Sequence, residues 1–477
     1  MLTTTKDKVQ ALAFDFLGSG MQWPPPSEVE RLERYAANKL LFENKHEVQF
    51  KENLKRIQRV IGNFDEVVSY TVNMNYFRKI SLKTADLLLG EPPKIKAENE
   101  NKNEQQTIDD FIKESDLYKK DYMLAIDVSR YGVGIFYPHR NTEGKVYIDT
   151  VTPSVWFPIY NVDNVQECFC HVLAWDYAEY QNPGDKTSKA DYFLKVQIHV
   201  PGKYIERLYK LSDIKPPIKT ITGMISESVH ATKLKDMPIV PIVNVATSDN
   251  QLGYDDYEDV QSIICELEIR VAQIAKILDQ HAAPTLAAPR LAIEQDANGR
   301  YYYKSGKVIP MFEGVPVPQY ITWDGQLEAA FRHIEILMQA LYYLSEMGPA
   351  VWGDAEKLGN VPSGTALRRM MMPTLAKVNR VRSNFDTGVK KALMIAAELQ
   401  GTPLSGVSIT WQDGLPADEM ENANIINLRT GGKATMSRQT AIERYDGATA
   451  SATENEIEKI DEDEAMSNQL VPPVFGN

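Results

Sequence analysis

The sequence predicts an α+β chain, mainly helical, with an antiparallel β region in its first half. Three observations carry this expectation. Apolar residues recur at spacings of three and four through Val260, Ile264, Leu267, Val271, Ile274 and Leu278, and again through Leu327, Phe331, Ile334, Leu337, Leu341 and Leu344, the signature of one apolar helical face. Short β-branched and aromatic runs separated by turn signals fill the stretch from Asp121 to Val245. A third helical pattern opens at Ser363 and runs through Leu367, Met371, Leu375, Val378, Val381, Phe385, Val389, Leu393 and Leu399. Pro373 lies inside it and is expected to kink it, because proline removes a helix hydrogen bond and crowds the preceding turn.

Taken in order, Ser27 to Glu30 reads as a capping box that opens a helix through Arg31, Leu32, Tyr35 and Leu40, with Pro24 to Pro26 fixing its entry. A second helix runs through Tyr76, Ile80, Ala85 and Leu88 and stops at Gly90 and Pro92-Pro93. Lys94 to Gln106 is polar and reads as a surface loop. The β runs are GVGIFYPH, KVYIDTV, ECFCHVLAW, DYFLKVQIHV, KYIERLYKL and PIVPIVNV. Asp255 and Asp256 read as caps for the helix that begins near Val260 and ends at Ala282 to Pro284. Between Pro284 and Thr322 lies a small Pro-, Gly-, Tyr- and Val-rich module with a hairpin around Asn298-Gly299. The next helix starts at Gly325, so this module is carried between two helices. After it comes GPAVWGDAEKLGNVPSGTAL, residues 348 to 367, an unusually long loop of the kind that is either functional or disordered. A strand-like GVSITWQ and a polar helical tail follow. The tail's acidic end, Glu454 to Glu464, reads as a segment that frays or is disordered.

Composition narrows the function. The 477 residues are 43% hydrophobic and 25% charged, an ordinary globular mixture with material for roughly two to four domains. A formal net charge of -13 excludes a general nucleic-acid coat and leaves phosphate contacts to local basic surfaces. Three cysteines, Cys168, Cys170 and Cys265, are too few for a disulfide framework and point to a reducing compartment. The sequence shows no signal-peptide pattern and no run near the ~20 apolar residues that a membrane span needs, so no membrane partner is expected.

No catalytic constellation emerges. Gly431-Gly432-Lys433-Ala434 lacks the Ser or Thr and the upstream glycine of a phosphate-cradling loop. Gly132-Val133-Gly134 lacks the third glycine of a dinucleotide fingerprint and reads as a turn. Cys168, Cys170 and His171 have no second ligand pair, and alternation along the strand favours core packing, so no metal site and no cofactor is expected. Asp255-Asp256 is better explained as a cap than as a catalytic pair.

The resemblance to a known family rests on segments spread over most of the chain. They are NYFRKISLKTADLLLGEPPKI at 75 to 95, SRYGVGIFY at 129 to 137, VTPSVWFPIY at 151 to 160, QLGYDDYEDV at 251 to 260, YITWDGQLEAAFRHIEILMQALYYLSEM at 320 to 347 and GNVPSGTALRRMMMP at 359 to 373. In this order and spacing the chain resembles the portal proteins of tailed bacteriophages, in particular long-tailed phages of Gram-positive hosts. The resemblance implies a wing from residues 1–253, a first stem helix at 254–283 and a clip at 284–323. It further implies a second stem helix at 324–345, a tunnel loop at 346–362, a kinked wing helix with a returning strand at 363–415, and a crown with acidic tail at 416–477.

The same resemblance implies a non-enzymatic subunit of a dodecameric ring in the virion, assembled in the host cytoplasm, through which double-stranded DNA passes. Expected partners are the large terminase, a head-tail connector, and the major capsid and scaffold proteins. Trp352, Lys357 and Asn360 are the expected DNA contacts of the tunnel loop, with Lys276 and Arg332 facing the channel on the stem. Packing of Trp352 against a neighbouring subunit stays open as the other reading. Arg290, Arg300, Lys304 and Lys307 give the clip a basic surface for an acidic partner, or are simply solvated hairpin charge. Arg368, Arg369, Lys377, Arg380, Arg382, Lys390 and Lys391 on the long helix are expected in salt bridges between subunits. The alternative function is another oligomeric connector or baseplate protein.

Overall fold

The structure, a computed structural model, describes residues 17–50, 72–99, 101–161, 164, 166–180, 190–212, 219–282, 285–287, 293–295, 297–299, 301–303, 319–321, 327–353, 368–411, 419–431, 433–442, 445 and 450–469. The chain divides into two compact units, Met1–Val361 with Ala366–Gly414, and Pro362–Thr365 with Leu415–Asn477.

The first unit opens with β1 (Gln22–Trp23) and a one-turn 3-10 helix at Pro26–Glu28, which leads into α1 (Val29–Phe42). The expected capping box does not form: no side chain caps either helix, and Pro26 in the first turn sets the entry instead. Buried Arg31 ties α1 to the β region by donating to the carbonyls of Pro153 (3.2 Å) and Trp156 (3.0 Å). After α2 (His46–Gln49) comes α3 (Tyr76–Leu89), whose first turn is capped by Asn75 accepting from the Arg78 amide.

Two sequence expectations fail next. Lys94 to Gln106 is not a loop but β2 (Lys94–Ala97) followed by the start of α4 (Lys102–Glu114), capped by Asn101. Ile95 and Ala97 point inward, and the strand finds its hydrogen-bond partner in Val407–Thr410, too far along the chain for local patterning to show. Nor does the β region begin at Asp121. Residues Leu117, Asp121, Leu124, Ala125 and Val128 form the buried face of α5 (Leu117–Tyr131), which Gly132 ends in the left-handed conformation at φ 83°. Gly134 then lies in β3 rather than in a turn. A Cβ there would stand 2.6 Å from Leu124 Cγ, so glycine lets strand and helix pack flush.

The strands β3 (Val133–Arg140), β4 (Val146–Val151), β5 (Trp156–Tyr160), β6 (Cys168–Tyr180), β7 (Ala190–Val200), β8 (Lys203–Ser212), β9 (Lys219–Ala231) and β10 (Val240–Val243) build two antiparallel sheets. Their orders are β10-β3-β4 and β1-β9-β8-β7-β6-β5. Strand β9 carries Thr, Ser and Glu where a core strand would carry aliphatics, and its second half is exposed. That is why its sequence gave no strand signal.

Then α6 (Gln261–Ala282) and α7 (Leu327–Leu344) appear where the periodicity places them. Between them, β11 (Thr285–Ala287) pairs with β14 (Gln319–Ile321), and β12 (Ile293–Gln295) pairs with β13 (Tyr301–Tyr303) around Asn298-Gly299. A short α8 (Pro349–Trp352) precedes the long α9 (Met372–Gln400) and β15 (Val407–Thr410). Residues 368–370 are helical and the helix breaks at Met371, so Pro373 sits in the first turn of α9 instead of kinking its interior. In that turn its missing N–H leaves no bond unmade.

The second unit contains α10 (Glu419–Thr430), α11 (Arg438–Ala441) and α12 (Ala450–Gln469). The acidic stretch Glu454 to Glu464 is helical within α12, not disordered. No helix among the described residues is long and apolar enough to cross a membrane.

Candidate functional site

The site is built where α7 ends. Ile334, Leu337, Met338 and Leu341 of α7 pack with Ile264 and Leu267 of α6 and with Phe77 and Ile80 of α3 in one hydrophobic cluster. Ser345 then turns the chain, its hydroxyl donating back to the Leu341 carbonyl at 2.6 Å. Glu346 adopts a left-handed φ of 57°, and Met347 drops into the cluster with no exposed surface. From the extended Gly348 the chain enters α8, whose Trp352 indole donates to the Met347 carbonyl at 3.0 Å. The indole meets Tyr76 edge-on at 5.4 Å. Burial raises the pKa of the Tyr76 phenol, whose hydroxyl lies 3.6 Å from Met338 Sδ.

Facing this segment is one side of α9. Thr374 Oγ1 donates to the Glu346 carbonyl at 2.8 Å, and Arg380 pairs with the Glu346 carboxylate. Between them Lys377, only 4% exposed, places Nζ 3.2 Å from the Ser345 carbonyl and 3.0 Å from Asp256 Oδ1. Asp256 is in turn satisfied on both oxygens, by Asn244 Nδ2 on Oδ1 (2.9 Å) and Ser129 Oγ on Oδ2 (2.6 Å). Because a carboxylate only accepts, Ser129 must donate to it, which orders the chain Tyr257 OH to Ser81 (2.7 Å) to Ser129 (3.0 Å) to Asp256. Burial holds the Tyr257 hydroxyl protonated, and donation to Ser81 uses that proton. The result is a buried polar hub that clamps α3, α5, the strand end after β10, the end of α7 and the start of α9 together.

Asp256 is therefore not a helix cap. The Asx role falls to Asp255, whose Oδ1 accepts from the Tyr257 and Glu258 amides (3.0 and 3.1 Å) in the turn before α6. Four of the seven basic residues expected between subunits form pairs within the chain: Lys377 with Asp256, Arg380 with Glu346, Lys390 with Asp386 and Lys391 with Asp236. Only Lys390 and Asp386 are i,i+4 neighbours on α9; Asp256, Glu346 and Asp236 come from segments that the fold packs beside the helix.

The expected site residues separate. Trp352 is seated in its own chain's core cluster, half-buried. Lys276 is half-buried on α6 and engaged in a contact. Arg332 is exposed near the start of α7, with Nη1 2.9 Å from Glu335 Oε2. Lys357, Asn360, Arg290, Arg300, Lys304 and Lys307 lie outside the described residues. What the sequence reading missed is the hub. One signal was present: Lys377 stands three residues after Thr374 and four before Val381, on the buried face of α9.

Cys168, Cys170 and His171 sit on β6, where Trp156 Nε1 donates to His171 Nδ1 at 3.1 Å. Burial pushes both thiols up to about 12. Among the described residues no group of three or more His, Cys, Asp or Glu side chains is arranged to hold a metal ion.

Comparison with curated proteins returned no match. Among solved structures, one described as "Neck of empty GTA particle computed with C6 symmetry" is similar with a TM-score of 0.44 and 11% identity, covering 77% of this chain and 88% of that one. The sequence matches the family profile "Phage portal protein, SPP1 Gp6-like" over residues 27–470, and the chain belongs to that family of phage portal proteins.

Proposed function

We propose that the chain is a subunit of a portal vertex, assembling head-to-tail into a dodecameric ring whose axial channel conducts double-stranded DNA during packaging and ejection. The observation that carries this is the family match over residues 27–470, and the family is a structural, non-enzymatic one. In this reading α6 and α7 are the stem, residues 284–323 the clip, 346–362 the tunnel loop and 416–477 the crown. Exposed Phe331, Ile336, Tyr343 and Leu344 on α7 support it, since a neighbouring copy would cover apolar surface that a lone chain leaves in water. The net charge of -13 supports it too: a mostly negative wall does not hold phosphates, so DNA slides.

Transient, sequence-independent contacts then fall to Lys276, Arg332, Lys357 and Asn360, with Trp352 bracing the base of the loop. Arg290, Arg300, Lys304 and Lys307 form the clip surface on which the terminase and afterwards a head-tail connector dock. The ring sits in the virion among capsid and scaffold proteins after assembly in the host cytoplasm. The test is nuclease protection of DNA in particles assembled with and without this chain. Protection only in its presence is expected; equal protection in its absence contradicts the proposal.

A further inference from the structure

We propose that Lys377 is the positioning residue for the segment leaving α7, fixing Ser345–Trp352 through a direct bond to the Ser345 carbonyl as well as neutralising Asp256. The functional meaning of this rests on the reading of residues 346–362 as a channel loop; the geometry does not. Helix α7 ends with carbonyls that have no partner inside the helix. Two carbonyls just beyond it, those of Ser345 and Glu346, receive donors from α9, Lys377 and Thr374 at the i and i+3 positions of one face, with Arg380 one turn further on. A cation at this helix end is also favoured by the helix dipole.

Lys377 differs from its two neighbours on that face. Thr374 and Arg380 reach only Glu346 in these contacts, whereas Lys377 Nζ bridges Ser345 to Asp256 and through it to Asn244 and Ser129. It is the link by which the position of α5 and of the strand end after β10 is imposed on the segment. Lysine suits this because its ammonium is a compact point charge with three donors on a flexible stem. With Ser345 fixed, Met347 is held in the core cluster and its carbonyl receives the Trp352 indole, so the whole segment as far as Trp352 follows.

A merely charge-balancing role is separable by experiment. Hydrogen exchange is measured by mass spectrometry on the full chain for peptides spanning 345–353, beside peptides of α12 as an internal reference. Lys377→Met is expected to raise exchange in 345–353 about tenfold, the loss of a hydrogen bond to a charged group, and to leave α12 unchanged. The second variant, D256N/K377M, removes both charges and guards against a single variant that fails to fold. It is expected to recover the melting temperature while exchange in 345–353 stays elevated, because the Ser345 carbonyl still lacks its donor. Return of exchange in 345–353 to the wild-type rate in D256N/K377M would overturn the proposal, as would unchanged exchange in Lys377→Met. Exchange is read without DNA and regardless of ring formation, so failure here is distinguishable from failure of the portal reading.

Discussion

His171 and His199 stand directly opposite each other on β6 and β7, both buried, at the joint between the two sheets. His199 is edge-on to Tyr137 of β3 and stacked on Tyr204 of β8, and neither of its ring nitrogens has a hydrogen-bond partner. Burial pushes the pKa of each ring from the ordinary 6.5 down to about 3, with Lys391 adding to the effect at His171 and His171 at His199. The unfolded chain therefore takes up protons below about pH 6.5 that the folded chain refuses until about pH 3. Stability should be fully present above pH 6.5 and fall on acidification, by up to about 1.4 kcal/mol per pH unit for each histidine. Urea unfolding at pH 7, 6, 5 and 4 checks this, and His199→Phe should flatten the slope. An unchanged slope in that variant contradicts the assignment.

Asp121 has the opposite dependence. It is wholly buried on α5, neither carboxylate oxygen has a partner, and burial raises its pKa well above the ordinary 3.8. The unfolded chain loses that proton above pH 3.8 while the folded chain keeps it, so this group weakens the fold as pH rises. Asp121→Asn should stabilise by about 1–4 kcal/mol at pH 7 and by little at pH 4. Equal effects at both pH values would show that desolvation is not the cause.

Gly388 faces Ile242 across the contact between α9 and β10, and a Cβ at Gly388 would lie 2.5 Å from Ile242 Cδ1 and Cγ1. Gly388→Ala should cost about 1–3 kcal/mol by overpacking, despite its better helix propensity. Adding Ile242→Ala should make the effect of Gly388→Ala smaller or reverse it, and thermal melts of the four chains in the cycle measure the coupling.

Trp352 is anchored to its own chain by the Met347 carbonyl and Tyr76. Trp352→Ala should lower stability by about 2–4 kcal/mol, less than a fully buried tryptophan because the residue is only half-buried. A variant that melts like the wild type would instead assign the ring to contacts outside the chain.

Legibility in the sequence followed the range of the interactions. The helices α6, α7 and α9 and the strands β6 to β8 were readable because their patterns repeat over many residues and answer to one buried face each. Strand β2 was not, because Ile95 and Ala97 are only two inward residues and their partner strand lies beyond position 400. Helix α5 was hidden by its β-like neighbours, although Leu117, Asp121, Leu124 and Val128 carry helical spacing. The candidate site was legible as a place, the chain after α7, but not as a mechanism. In sequence Asp256 reads as a helix cap and Lys377 as a salt-bridge partner of another subunit, and only the fold brings them within 3.0 Å of each other.

Electron microscopy of the purified chain, with particle averages sorted by rotational symmetry and a matching mass measurement, tests the portal account most directly. The account predicts closed rings of subunits around an axial hole, dodecameric in particles. A closed two-fold dimer at every concentration, with no hole and no higher assembly, would contradict it.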